Sequence, residues 1–326
     1  HAEAANTLWS LSLGNKHGAM PPGIEKALSP LVLLLQPAQQ HWRTLTMAAG
    51  AIAGLAAGGA SNQDAARDEG AIPLLVRLLA SPCEGADGAD SEPPAALRSG
   101  SGVVFAHRPW QVQANGATAL SELCKGNEAN QLATSEAGAV AHLIELLQGD
   151  DGHQATDRKL AEGDDDVRGG SRALCSRGSA TNLDSTGTDG GTAWGEAKLS
   201  MEGSLGAAIE AATCLCSLAD GRLAIQTEVS RCGGLKPLVG LLGSSSVAAQ
   251  EAAARALAAV SSHSGENEAA TAVMVVDLLR KVDDAPEVEK FARAISRLAS
   301  SSLNNQAAIA TAGAIPLLVL HVRSNQ

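Results

Sequence analysis

The acidic residues Asp164 and Asp166, followed by Gly169, come nearest in this sequence to a metal-binding motif. A calcium loop of this type needs an oxygen ligand at its fifth position and a glutamate at its twelfth. Those two positions are occupied by Arg168 and Cys175, which supply neither ligand. The stretch therefore does not predict a calcium site.

Motifs for other kinds of catalysis are also absent from the sequence. It has no Gly-x-x-x-x-Gly-Lys-Ser/Thr phosphate loop, no Gly-x-Ser-x-Gly elbow and no His-Glu-x-x-His zinc motif. The eight histidines are scattered without ligand spacing, and Cys214 and Cys216 would point in different directions on a helix. Such cysteines are more often small core residues than metal ligands. We therefore predict no enzymatic activity, no cofactor, no metal and no small-molecule substrate.

Composition narrows the class of protein further. The 326 residues carry a formal net charge of −11, and a chain this acidic lacks the cations that nucleic-acid binding requires. Hydrophobic residues make up 45% of the chain but aromatic residues only 2%, which favours a core of small aliphatic side chains between closely packed helices. The six cysteines form no regular framework, which indicates reduced thiols in an intracellular protein. No apolar run approaches the roughly 20 residues of a membrane span.

Two blocks of sequence alternate along the chain. The first is an apolar block introduced by glycine in four of its six copies, and the second is an alanine-rich block with the apolar spacing of a helix. Successive copies of the second block lie 38 to 44 residues apart, except for two intervals of 68 and 95. Such a period is typical of stacked units that cannot bury their apolar faces alone. The first block starts at Lys26, Gly70, Gly138, Gly233, Ala270 and Gly313, and the second ends at Leu11, Leu55, Leu123, Leu218, Val260 and Leu298.

A third, shorter block precedes the glycine by eight residues. It is an Asn-Gln pair at 62–63, 130–131 and 305–306, and the Gln is kept at Gln226. The three blocks predict a unit of a short helix, a glycine turn, a second helix, a loop and a longer third helix. We expect the glycine to need a positive φ or a close backbone approach where two helices meet steeply. Pro73 and Pro316 fall in the first turn of a second helix, where the missing N–H costs nothing.

This three-helix unit resembles the armadillo repeat. The resemblance lies in Asn-x₇-Gly-Ala-Ile-x-x-Leu-Val-x-Leu-Leu followed by Ala-Ala-x-Ala-Leu-x-x-Leu, and it is strongest to the armadillo arrays of plants, algae and the yeast vacuolar scaffold protein. The related HEAT unit has two helices and lacks the glycine block. The resemblance implies an all-α protein, a right-handed α-α superhelix of the armadillo type.

The two long intervals indicate insertions in the loop between second and third helices. We predict armadillo repeats over 1–80, 110–148 and 199–326, with the first and last repeats truncated, and disordered insertions over 81–109 and 149–198. The insertions are either inert or regulatory, and Ser171, Ser176 and Ser179 near arginines are the candidate phosphorylation sites.

In the families that this chain resembles, third helices line a concave groove that holds an extended peptide or a partner helix. Lys290, Arg293 and Arg297 are spaced i, i+3 and i+7 on one such helix, whereas Glu122 and Glu210 hold similar places upstream. This predicts a groove that is acidic in its middle and basic near the C-terminus, for an acidic or bipolar peptide or another partner with an acidic segment. The alternative is an ordinary solvated face. The predicted groove residues are Asn115, Thr118, Glu122, Glu210, Thr213, Ser217, Arg255, Lys290, Arg293 and Arg297.

Two tryptophans, Trp42 and Trp110, begin their third helices at matching places, and we expect them to pack within the protein rather than contact a partner. The importin-α-like subgroup has a Trp and an Asn four residues apart on successive third helices, and the Asn grips the peptide backbone. The sequence does not predict that mode of binding, because the Asn-equivalent positions hold Ser10, Gly54, Glu122, Ser217, Ala259 and Arg297.

The resemblance thus implies a non-catalytic protein–protein interaction scaffold of the cytoplasm or nucleus, with a protein or peptide partner. The chain starts at His1 rather than Met, so we expect it to be part of a longer protein. Two alternatives stay open: the substrate-recognition region of a U-box-type ubiquitin ligase, and a membrane-tethered adaptor of the vacuolar type.

Overall fold

The structure is a computed structural model that describes residues 1–13, 24–36, 42–80, 109–148, 191–282 and 285–324. Side chains are described for these residues except 13, 24, 25, 109, 191–202, 285, 301 and 324. Every regular element in these ranges is helical, as predicted. A 3-10 turn over Ile24–Ala27 leads into α2, and the α-helices are α1 (Ala2–Leu13), α2 (Leu28–Leu34), α3 (Trp42–Ala56), α4 (Ala60–Asp68), α5 (Ala71–Leu79), α6 (Pro109–Cys124), α7 (Glu128–Glu136), α8 (Ala139–Gln148), α9 (Gly191–Ala219), α10 (Leu223–Arg231), α11 (Leu235–Leu242), α12 (Val247–Ser261), α13 (Gly265–Arg280), α14 (Ala285–Ser301), α15 (Leu303–Thr311) and α16 (Ala314–Ser324).

The helices repeat in threes along the chain. Each third helix packs against the third helix of the next unit, so that α1, α3, α6, α9, α12 and α14 lie side by side in chain order. First and second helices pack behind them: α4, α7, α10 and α15 are first helices, and α2, α5, α8, α11 and α16 are second helices. This is the stacking expected of a repeat solenoid, in which each unit contacts mainly its neighbours.

The predicted glycine turns are confirmed at all four positions. Gly70, Gly138, Gly233 and Gly313 have φ between 78° and 93°, a left-handed conformation that a Cβ would strain, and each separates a first helix from a second. The repeat around Ala270 lacks the glycine, and there first and second helix run together as the single helix α13. The glycine is therefore what breaks the helix in two.

The alanine-rich blocks form the inner faces of the third helices. Their last residues are buried in the five units from α3 onward, at 2% exposure or less, whereas Leu11 on α1 is 50% exposed. Small residues let neighbouring third helices approach closely: a Cβ on Gly50 of α3 would lie 2.8 Å from the ring of Trp9 on α1. Burying a leucine side chain contributes about 2 kcal/mol, so this stripe is a main source of stability.

The two predicted insertions differ from the structure at their edges. Helix α6 starts at Pro109 and α9 at Gly191, so residues 191–198 have helical backbone where we predicted the end of a disordered insertion. Ala193, Glu196, Ala197 and Lys198 are good helix formers, and extending an existing helix adds one hydrogen bond per residue without a new nucleus. Residues 81–108 and 149–190, with Ser171, Ser176 and Ser179, lie outside the described residues.

Candidate functional site

The ten predicted groove residues lie on four consecutive third helices. All of them are exposed or half-buried, as a contact surface requires. They form one row because α6, α9, α12 and α14 pack side by side. By helix they are Asn115, Thr118 and Glu122 on α6, Glu210, Thr213 and Ser217 on α9, Arg255 on α12, and Lys290, Arg293 and Arg297 on α14.

The middle of the row is a connected set of hydroxyl and carboxylate groups. The hydroxyl of Thr118 lies 3.0 Å from Oε2 of Glu210, and the hydroxyls of Ser121 and Ser217 lie 2.9 Å apart, so both pairs link α6 to α9. Glu122 is half-buried, and its only nearby described cation is Lys125, 4.0 Å away and mostly exposed. The middle of the row therefore presents negative charge and acceptor oxygens, and its role as part of a binding groove stays a prediction.

Side chains in this region are also tied to their own helices. Asn115 Nδ2 donates to the carbonyl oxygen of Gln111 at 2.9 Å, and Thr213 Oγ1 donates to that of Ile209 at 2.9 Å. Asn115 keeps its amide oxygen for other contacts, since only its N–H group is committed to the helix.

The C-terminal end of the row is less basic than the sequence suggested. Lys290 pairs with Glu287 and Arg293 with Glu289, both on α14, and Arg297 pairs across the helices with Glu251 of α12 at 2.9 Å. Glu287 and Glu289 precede Lys290 and Arg293 by three and four residues, which are the spacings typical of ion pairs on one helix. The expectation of a net basic end is therefore corrected to an end of mixed charge.

Arg255 is the exception among the described cations of the row. It is exposed and makes no ion pair with any described residue, and its Nε donates only to the carbonyl oxygen of Glu251 at 3.4 Å. It lies close to Cys216 of α9, where burial raises the pKa of the thiol and the charge of Arg255 opposes that rise. Arg255 is thus the positive charge of the row that is most available to a partner.

The tryptophans pack within the protein, as expected. A Cβ on Gly203 of α9 would overlap the indole ring of Trp110, which shows how closely this ring lies against the helix backbone. Trp42 packs against the edge of the core.

The Asn-Gln pairs of the first helices fasten the third helices at their C-terminal ends. Gln63 Nε2 donates to the carbonyl oxygens of Glu122 at 2.8 Å and Lys125 at 3.2 Å, at the end of α6. Asn130 Nδ2 donates to those of Leu123 at 2.9 Å and Gln63 at 3.1 Å. The last carbonyls of a helix have no partner within it, so these side chains satisfy groups that would otherwise be orphaned.

The same arrangement recurs along the solenoid. Gln131 Nε2 donates to Ser217 O at 2.8 Å, and Gln226 Nε2 donates to Ala259 O at 3.0 Å. The recurring pair is visible in the sequence, but this role is not, because Gln63 and Gln131 contact residues 59 or more positions away in the next unit. Asn62 Nδ2 likewise donates to Leu55 O at 2.9 Å, and Asn267 Nδ2 to Val260 O at 3.0 Å. We call this set the amide ladder: Asn62, Gln63, Asn130, Gln131, Gln226 and Asn267.

The described residues contain no cluster of three or more His, Cys, Asp or Glu side chains suited to a metal ion. Cys124 and Cys214 are buried, as expected for core residues, and burial raises the pKa of Cys124 to about 12 and that of Cys214 well above its usual value. Nucleophilic cysteines need the thiolate, so neither is suited to that role.

Of the eleven exposed large hydrophobic side chains among the described residues, five lie on α15 and α16, near the contact of α15 with α14. An apolar hollow of about 310 Å³ there is lined by Ile295, Ile309 and Leu318 among others.

No single described helix is long and apolar enough to cross a membrane. Leu303–Thr311 and Ala314–Arg323, bent by 73°, meet the length and composition criteria for a span only as a pair.

Comparison with known proteins agrees with this architecture. The family model of the armadillo/beta-catenin-like repeat matches residues 225–259, which comprise most of α10, α11 and α12. Solved armadillo repeat proteins superpose over 90% and 91% of the chain. The chain has the fold of an armadillo-type solenoid.

Three solved structures illustrate the likeness of the armadillo fold. An engineered protein is 22% identical, with 92% of each chain covered and a TM-score of 0.55. A computationally designed armadillo repeat protein for modular peptide recognition is 19% identical, with 90% of this chain and 92% of that chain covered and a TM-score of 0.51. A designed armadillo repeat protein in complex with the peptide (KR)4 is 19% identical, with coverage of 91% and 92% and a TM-score of 0.52. No curated protein sequence matches the chain significantly.

Proposed function

We propose that this chain is a non-catalytic binding scaffold that holds an extended peptide or a partner helix along the row of groove residues on α6, α9, α12 and α14. The observation that carries the proposal is the row itself: ten half-buried or exposed polar side chains on four adjacent helices. Designed proteins with this fold recognise peptides, which supports a partner of the same kind.

The charges of the row favour a bipolar partner. Glu122 and Glu210 in the middle would attract a cationic side chain, and Arg255 next to them would attract an acidic one. Arg293 is 45% exposed in spite of its pair with Glu289, so it can exchange that pair for a partner carboxylate at little cost. Arg297 is a poorer candidate, because its pair with Glu251 joins two helices.

The test uses three fluorescent peptides of equal length, one acidic, one basic and one with a basic half followed by an acidic half. Their binding to the full chain is measured by anisotropy at 50 and 300 mM NaCl. We expect the bipolar peptide to bind most tightly and binding to weaken with salt, because Coulombic contacts at an exposed surface are screened. Failure of all three peptides to bind would contradict the proposal for peptides of this chemistry.

Charge reversal locates the site. The double variant Arg255→Glu, Arg293→Glu should weaken the bipolar peptide by roughly tenfold or more, because like charges then face each other. Arg231→Glu is the matched control, since Arg231 is exposed on a first helix outside the row. Equal affinities of the double variant and the control would show that the peptide binds elsewhere.

A further inference from the structure

The amide ladder is complete at the first two junctions between units. Besides donating to the next third helix, the glutamine there also accepts a hydrogen bond from the residue that precedes the next first helix. Gln63 Oε1 accepts from Asn127 Nδ2 at 3.2 Å, and Gln131 Oε1 accepts from Arg222 Nε at 3.1 Å. Every polar atom of these two side-chain amides that faces the junction is therefore engaged with the next unit.

At the third junction the ladder loses one of these bonds. Gln226 still donates to α12, but its Oε1 is buried and has no partner among the described residues. The residue that precedes the next first helix is Ser264, whose hydroxyl instead accepts from the backbone N–H of Asn267. A buried acceptor without a donor costs about 1–3 kcal/mol. This junction is held less firmly than the two before it.

At the fourth junction the glutamine itself is replaced. The position equivalent to Gln63, Gln131 and Gln226 holds Glu268, which is 7% exposed and has Oε1 buried without a partner in the described part of the chain. Glutamate lacks the amide N–H groups that the other three positions use to hold the end of the next third helix. The side chain that should lock α14 in place therefore leaves one of its own oxygens unsatisfied.

What joins α12 to α14 at the surface is an ion pair, Arg297 with Glu251 at 2.9 Å. The two side chains are 31% and 53% exposed, and Arg297 Nη1 is buried without a partner among the described residues. Exposed pairs of this kind contribute about 1 kcal/mol or less and weaken with salt. The pair does not replace the missing amide contacts.

We infer that the solenoid has a built-in hinge at α13, about which residues 285–324 open as a cooperative unit separate from residues 203–261. The groove would then consist of a fixed part on α6, α9 and α12 and a movable part on α14, which carries Arg293 and Arg297. Opening of this kind is expected where a repeat interface contributes least to stability. The inference concerns the free chain and holds whether or not the groove binds a peptide.

The test is hydrogen exchange of the full chain, followed by mass spectrometry of its peptides. Amides of 285–324 should exchange faster than those of 203–261, and 500 mM NaCl should speed their exchange further by weakening the Arg297–Glu251 pair. End units fray in any solenoid, so the wild-type pattern alone does not decide between a hinge and simple fraying.

Substitutions that restore the amide ladder distinguish the hinge from simple fraying of the end unit. Glu268→Gln restores the missing donors and should slow exchange of 285–324 by roughly threefold to tenfold. Ser264→Asn copies Asn127, whose Oδ1 accepts from its helix while Nδ2 donates to Gln63, and should slow exchange across the third junction. The reverse control, Gln131→Glu, should create a new fast-exchanging boundary before α9. Unchanged exchange of 285–324 in Glu268→Gln would overturn the hinge, because fraying does not depend on that side chain.

Discussion

Asn130 is the side chain of the amide ladder whose removal should be felt most. It is fully buried, and it joins three elements: Nδ2 donates to Leu123 O at 2.9 Å and Gln63 O at 3.1 Å, and Oδ1 accepts from Arg67 Nη1 at 3.0 Å. Asn130→Ala removes all three bonds. At about 1 kcal/mol for each bond, with an added penalty for Leu123 O in the last turn of α6, the loss should be about 3 to 4 kcal/mol.

The assay is urea unfolding of the full chain, followed by circular dichroism at 222 nm. Because stability in a solenoid is close to a sum over neighbouring units, weakening one interface should lower the midpoint and also split or broaden the transition. Asn304→Ala is the control, since Asn304 is exposed on α15 and its removal should change stability by about 0.5 kcal/mol or less. If Asn130→Ala unfolds with the same midpoint and slope as the control, the ladder is not a source of stability.

Four further substitutions, which make three predictions, test other parts of the fold. Gly203→Ala should destabilise the α6–α9 contact by about 1–3 kcal/mol, because its Cβ would overlap Trp110. Gly206→Ala has nothing within 4 Å of its Cβ and should stabilise the same helix by up to about 1 kcal/mol. Thermal unfolding of both variants distinguishes the effect of packing from that of helix propensity. Gly138→Ala forces a side chain into a backbone with φ 83° and should cost about 1 kcal/mol or more, measured as a lower urea midpoint. Burial raises the pKa of Cys124 from 9.0 to about 12, so between these values the thiol ionises in the unfolded chain but not in the folded one. The contribution of Cys124 to stability is therefore complete below pH 9 and is lost between pH 9 and 12, by at most about 1.4 kcal/mol per pH unit. Cys124→Ala should flatten the decline of stability between pH 9 and 11, and an equally steep decline in the variant would refute this assignment.

Much of the architecture was predictable because it rests on local chemistry. The glycine before each second helix is needed for a left-handed turn, and where it is missing, near Ala270, the two helices merge into α13. Pro73 falls in the first turn of α5, as its missing N–H requires. The small and aliphatic residues of the third helices predicted a buried stripe, and the structure buries it.

The placing of the predicted groove residues on neighbouring third helices follows from the repeat, whereas their use as a binding groove stays a prediction. Residues at equivalent places on third helices do lie in one row, because a repeat of constant length places them in register. Their charges were not predictable one by one, since whether Arg297 is free depends on Glu251 of another helix, 46 residues away. The start of α9 within the predicted insertion was also missed, because helix ends are set by extension from a packed segment rather than by composition alone.

The sequence by itself determined the three-helix repeat unit, the order of its helices and the glycine turns between them. Periodic apolar residues and glycines act on the backbone within a few residues of their own position. Only the tertiary structure decided which polar side chains hold the units together. Gln63 and Gln131 bond to backbone carbonyls of the next unit, while Glu268, in the same place in its own repeat, has an oxygen without a partner in the part of the chain that the structure describes. The change from Gln to Glu removes the N–H donors and can be read from the sequence, but the cost of that change depends on packing, because a buried polar group stabilises an interface only when another helix presents a partner within its reach.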